Sequence, residues 1–443
     1  MQSQNLAKRP VTNRILFFLL CFYWLSQAFL VPLAPIGPSW ALWPSLSDLA
    51  VLAMLPILLY CFSKRVCDRD VRVVLKLEWE ALFLCSASFA LATAFYGSRN
   101  EHVTTGIYQL ARSVEYLAVL LVAAQTAIAA TQWKVLRWVM LLTFFLISGG
   151  LLVIATHLIT PSVVSPLLPL APALAGPWGA YANGEIKDGG FISYNHAYIG
   201  MQLILSGGAT YFCFERSRRV RLLICLLLLL CTFYSFSRAS FIVASVLVLA
   251  LEWRREKSNL LALAVLCSLG GAWAIQSLAV EDVVERQSSS ASSVDEDGMS
   301  GRTTIWQDHL DYFTSHPINL IVGTGYGYAG WVSPANAHNL YLHVTTEAGL
   351  VGLIFFLYLQ RRTLLLLRGH KLRTMRLTVL ALLVSGLTQE TFYPVVSFSH
   401  FLGFYLSVLA ITLRSANSSE GGLSDSSFVS KPVLSRRDRE VAT

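Results

Sequence analysis

A few polar side chains in and between the apolar runs of this chain are of types that could do chemistry. His338 lies in Asn336-Ala337-His338-Asn339. A neutral imidazole there would suit a general base near pH 7. Arg238 sits in Ser235-Phe236-Ser237-Arg238-Ala239-Ser240, and Arg302 in Ser300-Gly301-Arg302-Thr303. A planar guanidinium binds paired oxygens of a phosphate or carboxylate, so two of them suit an anionic group. Tyr194, Asn195 and His196 form a polar triplet, Arg112 and Glu115 lie three apart inside an apolar run, and Glu390 closes another run. Charges in such runs are costly and usually face a cavity or a partner. Each has a plainer reading as well. Arg238 could be an interfacial arginine that snorkels, Arg302 a helix-start or loop ion pair, and Arg112–Glu115 a helical ion pair. His338, His196 and their neighbours could be satisfied structural side chains.

The elements that must position these groups follow from composition. Of 443 residues, 55% are hydrophobic and 14% charged, against about 45–50% and about 25% in soluble domains. That argues against a soluble enzyme and against a disordered chain. The net charge is +8, from 34 Lys+Arg and 26 Asp+Glu. The basic residues occur in short groups between apolar runs, a membrane-topology pattern rather than a nucleic-acid face. The eight cysteines form no CxxC and no metal spacing, and read as small apolar filler.

The expected fold is an all-α polytopic membrane protein of about 12 transmembrane helices, several of them near the ~20 residues that a span needs, with the run from 239 short and joined by a tight turn to the one from 220. The runs are roughly 15–34, 45–63, 79–97, 104–128, 136–157, 191–214, 220–236, 239–253, 259–279, 339–360, 374–392 and 395–413. The first exceeds the ~7–15-residue apolar region of a cleaved signal peptide. Lys8, Arg9 and Arg14 precede it, so residues 1–14 read as an inside tail. With both ends inside, only Arg99, Lys187, Arg238, Arg286 and Arg302 fall in outside segments, Arg112 lies within a span, and the other 28 Lys+Arg fall in or at the edges of inside segments. Residues 15–279 then hold the first nine spans and 339–413 the last three.

Two outside segments are long. One, 158–190, carries Pro161, Pro166, Pro169, Pro172 and Pro177. The other, 280–338, opens with a Ser-rich acidic connection. Ile305, Trp306, His309, Leu310 and Phe313 then recur at helical spacing until Pro317 stops the helix. A Gly-rich turn from Gly323 to Gly330 leads to His338. Residues 414–443 are Ser-rich and polar and read as a disordered inside tail.

Several patterns imitate chemistry. Gly325, Gly327 and Gly330 spell GxGxxG, but the dinucleotide fingerprint needs a preceding strand and a following helix, so a tight turn is expected. Asp295-Glu296-Asp297 lies in the Ser-rich stretch and reads as solvated charge. Asn417-Ser418-Ser419 is a glycosylation sequon on the inside. His157, His370 and His400 show no partner pattern in the sequence.

The ordered set of short motifs resembles the O-antigen ligase/polymerase superfamily. It comprises Ser237-Arg238-Ala239-Ser240, Gly301-Arg302 with Trp306, and Gly323-x-Gly325-x-Gly327. His338-Asn339-Leu340-Tyr341-Leu342 and Glu347-x-Gly349-Leu350-x-Gly352 follow. The motifs cover about residues 190–360, and Asn195 resembles a further one. The resemblance implies a GT-C-like glycosyltransferase of a bacterial inner membrane, with a long, partly helical periplasmic loop before helix 10. It implies a glycan donor on undecaprenyl diphosphate and, for a ligase, a sugar hydroxyl of lipid A–core as acceptor. It implies no cofactor, no metal and no nucleic acid. On that reading His338 takes the acceptor proton while Arg238 and Arg302 clamp the diphosphate. The anomeric centre inverts, and Arg112, Tyr194, Asn195, His196 and Glu390 are further substrate-binding candidates. A polymerase with a growing-glycan acceptor, or transfer to protein, shares the same motifs. A secondary transporter would use Arg112, Glu115 and Glu390, and would show inverted repeats and broken helices, of which the sequence shows neither.

Overall fold

Backbone N–H and C=O groups in hydrocarbon must be paired within their own segment, so long apolar runs fold as helices. The computed structural model describes residues 10–29, 44–61, 68–96, 100–126, 128–155, 196–235, 237–253, 255–266, 302–333, 337–390, 392–393 and 400–420, and the regular structure there is helical. In chain order the helices are α1 Pro10–Ser26, α2 Leu46–Cys61, α3 Arg69–Tyr96, α4 Asn100–Gln125, α5 Ala130–Ala155, α6 His196–Cys213, α7 Arg218–Tyr234 and α8 Arg238–Glu252. There follow α9 Lys257–Leu266, α10 Arg302–Ser315, α11 Pro317–Val322, α12 Leu340–Leu366, α13 Arg373–Ser385 and α14 Phe401–Glu420.

Each expected apolar run overlaps one of these helices, though several helices extend past the expected bounds. Three segments, His102–Gln125, Ala130–Leu152 and Leu340–Leu366, are long and apolar enough to cross a membrane by themselves. Large apolar side chains also point away from the protein: Phe95 on α3 is 82% exposed, Phe83 72% and Ile354 on α12 67%. Such a surface is a liability in water and a match to lipid. Among the described residues the structure is helical, and its apolar helices and exposed apolar side chains fit a membrane protein.

Two groups of helices make the body. In the first, α1, α2, α4 and α14 pack together, with α3 against α4, α12 and α14. In the second, α5, α6, α7, α8 and α13 pack together. Helix α5 joins the groups through α1. Small residues set the close approaches. A Cβ on Gly208 of α6 would meet Thr378 of α13, and one on Gly200 would meet Ser240 of α8.

The α7–α8 hairpin turns at Ser235–Ser237, and the Ser237 hydroxyl caps α8 by accepting from the Ser240 amide. At the opposite end of that hairpin, Arg221 pairs with the buried Glu252 at 3.2 Å. Glu252 also accepts from Tyr211 and Asn259. The sequence read this arginine only as a topology marker. Helix α14 runs to Glu420, past the expected span end at 413. Arg414 donates to the Ala123 and Thr126 carbonyls and so caps the end of α4. The expected tail thus begins as helix, and 421–443 lie outside the described residues.

Helix α12 is broken. Gly349 has φ +67° and ψ −172°, and a Cβ there would collide with the Ile321 carbonyl of α11. This corrects the expectation of unbroken helices. Ten residues at 1.5 Å each put the break about 15 Å in, half of a bilayer core. The carbonyls freed near it are not stranded. Thr324 donates to Thr346 at 2.7 Å and Gly325 to Glu347 at 2.9 Å.

Candidate active site

Helix α10 presents one face to the bundle. Arg302, Trp306 and His309 are four and three residues apart, so their side chains stack along it. The Trp306 indole donates to the Ala337 carbonyl at 2.7 Å, which fixes the residue before His338. His309 is buried, with Nδ1 2.8 Å from the Thr346 hydroxyl of α12. Arg302 and His309 lie outside the spans. Burial pushes the His309 imidazole below its ordinary value, against the pull of Asp308. Burial also pushes Arg302 down, while Glu390 pulls it back up.

His338 takes a left-handed backbone, φ +47°, uncommon for a residue with a Cβ and a mark of an over-determined site. The next residue locks the geometry. The Asn339 side chain accepts from the Tyr341 and Leu342 amides and caps α12. The Leu340 amide donates to Gly386 at 2.7 Å, and the Tyr341 hydroxyl to Leu383 at 2.8 Å. These bonds tie the start of α12 to the end of α13. The turn after α13 carries Glu390, which is buried and close enough to His338 and Arg302 to feel both charges. The structure therefore brings Arg302, His338 and Glu390 together from three separate elements.

Arg238 is the first residue of α8, whose length packs against α13. Arg373 at the start of α13 bonds Ala250 near the end of α8, so the two helices run antiparallel. Arg238 is thus at the Glu390 end of the pair. His196 is the first residue of α6, and Tyr194 and Asn195 lie outside the described residues, as do 158–190 and Asp295–Asp297.

The Gly-rich turn spends its donors inside the protein. Gly323, Gly325 and Gly327 all have positive φ, and a Cβ on Gly325 or Gly327 would strike Ala92 of α3 or Gly106 of α4. The amides of Gly327 and Ala329, with Gln109 and the Tyr393 hydroxyl, hydrogen-bond the buried Glu347 carboxyl. A tight turn around a carboxylate is what the GxGxxG spacing builds here.

Residues 223–357 match the family model described as O-antigen ligase. No curated protein matches the chain. The O-antigen ligase match supports the superfamily the motifs resembled, and it contains Arg238, Arg302 and His338. Glu390 lies beyond it.

Arg112 is engaged by the protein. Its guanidinium hydrogen-bonds Tyr108, Asp48, Glu115 and the His400 ring. Asp48, Glu115 and His400 are close enough together to suggest a metal site among the described residues, but the Arg112 Nη1 bonds to all three and already supplies the positive charge. Of the two sequence readings for Arg112, the geometry favours pairing, with Asp48 and His400 as partners the sequence did not reveal.

The described helices also enclose an apolar cavity of about 770 Å³. Its walls come from α3, α4, α11, α12 and α14, with Phe95 and Tyr326 toward the loop end and Glu78 and Gln360 farther along. The O-antigen ligase match supplies the α11 and α12 walls, while α3, α4 and α14 lie outside it.

Proposed function

We propose that the chain is an inverting glycosyltransferase that moves a glycan from a lipid diphosphate to an acceptor hydroxyl, acting as an O-antigen ligase. The reading rests on one observation: Arg302, His338 and Glu390 converge although the sequence scatters them. The attacking hydroxyl must lose a proton, and His338 is the base, worth typically ~10²–10⁴-fold when positioned. The buried Glu390 lies within electrostatic reach of the imidazole and balances its charge. The leaving diphosphate gains negative charge in the transition state. Arg302 and Arg238 each open a helix, where the macrodipole favours anions, so guanidinium and helix end act together on that charge. Undecaprenyl diphosphate is the donor, its tail lying in the apolar cavity, and lipid A–core is the acceptor on the periplasmic side of the inner membrane.

The break in α12 is the one feature that favours a transporter. Its carbonyls are capped by the Gly-rich turn, so the break seats that turn rather than lining an ion path. Gene deletion followed by gel analysis of surface glycolipid tests the reading. Polymer-free core with accumulated lipid-linked polymer is the expected result. Core carrying a single repeat unit would assign a polymerase, and unchanged glycolipid with altered solute uptake would assign a transporter.

A further inference from the structure

Where the Gly-rich turn ends, three rings stand in a row. Tyr328 is buried, with its hydroxyl 3.1 Å from Thr93 of α3 and its ring 6.4 Å from Phe89. The His102 ring of α4 lies 5.6 Å from Tyr328 at 33° and 6.0 Å from Trp331 at 40°. A single 3-10 turn, Ala329–Trp331, holds the row, and in it the Trp331 amide donates to the Tyr328 carbonyl at 3.0 Å. Away from Tyr328 the row comes to the surface. His102 and Trp331 are half-buried, and Gly330 beside them is exposed.

Gly330 differs from the other glycines of the turn. Gly323, Gly325 and Gly327 have positive φ, and a Cβ on any of them would collide with a neighbour; Gly330 has neither constraint. Among the described residues, a Cβ there would meet the His102 ring at 3.6 and 3.8 Å, an ordinary contact. A side chain at 330 would therefore fit, and it would lie on that ring. Glycine leaves this side of the ring uncovered without any demand from the backbone.

The row stands at the height of His338. Only three residues separate α3 from α4 and the two pack together, so they run antiparallel. Helix α3 is antiparallel to α12 as well. Ser88 donates to the Glu347 carbonyl at 3.4 Å, and Glu78, earlier on α3, lines one cavity with Gln360, later on α12. Helices α4 and α12 therefore run the same way, and they are joined where Gln109 hydrogen-bonds the Glu347 carboxyl. His102 is seven residues before Gln109 and Leu340 seven before Glu347, so both stand about 10 Å from that bond on the same side. His338 is two residues before Leu340.

We propose that Trp331 and His102 form a shelf that holds a sugar ring of a glycan substrate at the level of His338. The inference rests on the transferase reading above. A pyranose presents C–H bonds on its faces and hydroxyls around its rim. Its C–H face suits the electron-rich face of an aromatic ring. Indole and imidazole also carry polar edges, which suits the hydroxyl rim. Rings fixed on a hydrogen-bonded turn lose little freedom when a ligand settles on them. Tyr328 is the buried back of the shelf, and Gly330 is the gap through which the sugar reaches His102. The shelf moves no proton; it binds and orients. The donor glycan and the acceptor both carry such a ring, and the test separates the two.

The test is turnover of the whole protein in vesicles, with lipid-linked glycan and core acceptor titrated separately. Trp331→Ala should raise the KM of one of them about tenfold, the scale of one good aromatic contact. Its kcat and unfolding temperature should hold. A raised donor KM puts the donor glycan on the shelf, and a raised acceptor KM puts the core sugar there. Trp331→Phe should restore most of the loss. Gly330→Leu removes no ring and only covers the shelf, so it should raise the same KM, and it decides the matter if Trp331→Ala does not fold. Wild-type KM for both substrates in these variants overturns the shelf and leaves the transferase standing. So does a loss in kcat alone, or one matched by a fall in unfolding temperature. No transfer by wild type overturns the transferase reading. Calorimetric binding of soluble repeat-unit and core oligosaccharides to wild type and Trp331→Ala then decides the shelf, which equal binding, or none, overturns.

Discussion

Two of the buried polar clusters among the described residues are built differently. Around Arg112, the guanidinium nitrogens meet Asp48, Glu115, His400 and Tyr108, and the His400 ring also meets Asp48 at 2.9 Å and Tyr23 at 3.4 Å. Around His338, four imidazole nitrogens make no hydrogen bond, although the His343 Nε2 lies 3.7 Å from the Glu347 carboxylate. The first joins α1, α2, α4 and α14 and behaves as a bolt. The second joins α10, α12 and the turn after α13, and holds groups in reserve. Burial and charge are common to both, so neither marks a site. Unspent hydrogen-bonding capacity is what separates them.

Exchanging the readouts of the two clusters probes that difference. The largest effect is expected at His338. His338→Ala should insert normally and keep its unfolding temperature, while transfer falls about 10²–10⁴-fold. Near-normal turnover in a vesicle assay would remove His338 as the base. Asp48→Asn should do the reverse. It leaves Arg112 short of a buried carboxylate and costs about 3 kcal/mol of stability, as when one partner of a buried pair is lost. Thermal unfolding in detergent reads that loss, and turnover per folded molecule should hold. A fall in turnover without a fall in unfolding temperature would make the first cluster catalytic.

Next come the arginines that open helices. Arg302→Lys keeps the charge and loses the fork, so donor KM and kcat should both worsen by about tenfold, on the scale of one charge-assisted hydrogen bond. Arg238→Lys should behave alike if both guanidiniums hold one diphosphate. Full activity in Arg238→Lys, with a deficit in Arg302→Lys, would mark Arg238 as a snorkelling residue and narrow the clamp to α10.

The sequence carried the helical class, because each apolar run is long enough to demand it. It also carried the motif residues, because Arg302 and His338 lie in short motifs whose order along the chain resembles the superfamily's. Local signals could not show which groups meet. Asp48 and His400 are 352 positions apart, so nothing in the chain around His400 announces its partner. His309 was visible only as part of a helical stripe. The overlooked signal was its place seven residues after Arg302, two turns on along the same face. The break at Gly349 was hidden because Glu347-Ala348-Gly349-Leu350 reads as ordinary apolar helix. Only the approach of Ile321 shows why a glycine stands there. The Gly-rich turn looked like a loop and proved to be the cap for that break.

The smallest expected effect concerns His309, within the second cluster. It has one nitrogen spent on Thr346 and one free, and burial pushes its pKa below the ordinary histidine value. The unfolded chain therefore binds a proton more readily than the folded one. Stability from keeping His309 neutral is fully present above the ordinary value near pH 6.5 and is lost as pH falls below it toward the folded value. Unfolding temperature between roughly pH 5 and 8 should drop on the acid side in wild type. In His309→Gln that part of the slope should flatten, because Gln does not titrate and can still bond the Thr346 hydroxyl. Equal slopes in the two proteins would mean that His309 is protonated as easily folded as unfolded, and the free nitrogen would then face water rather than the buried cluster.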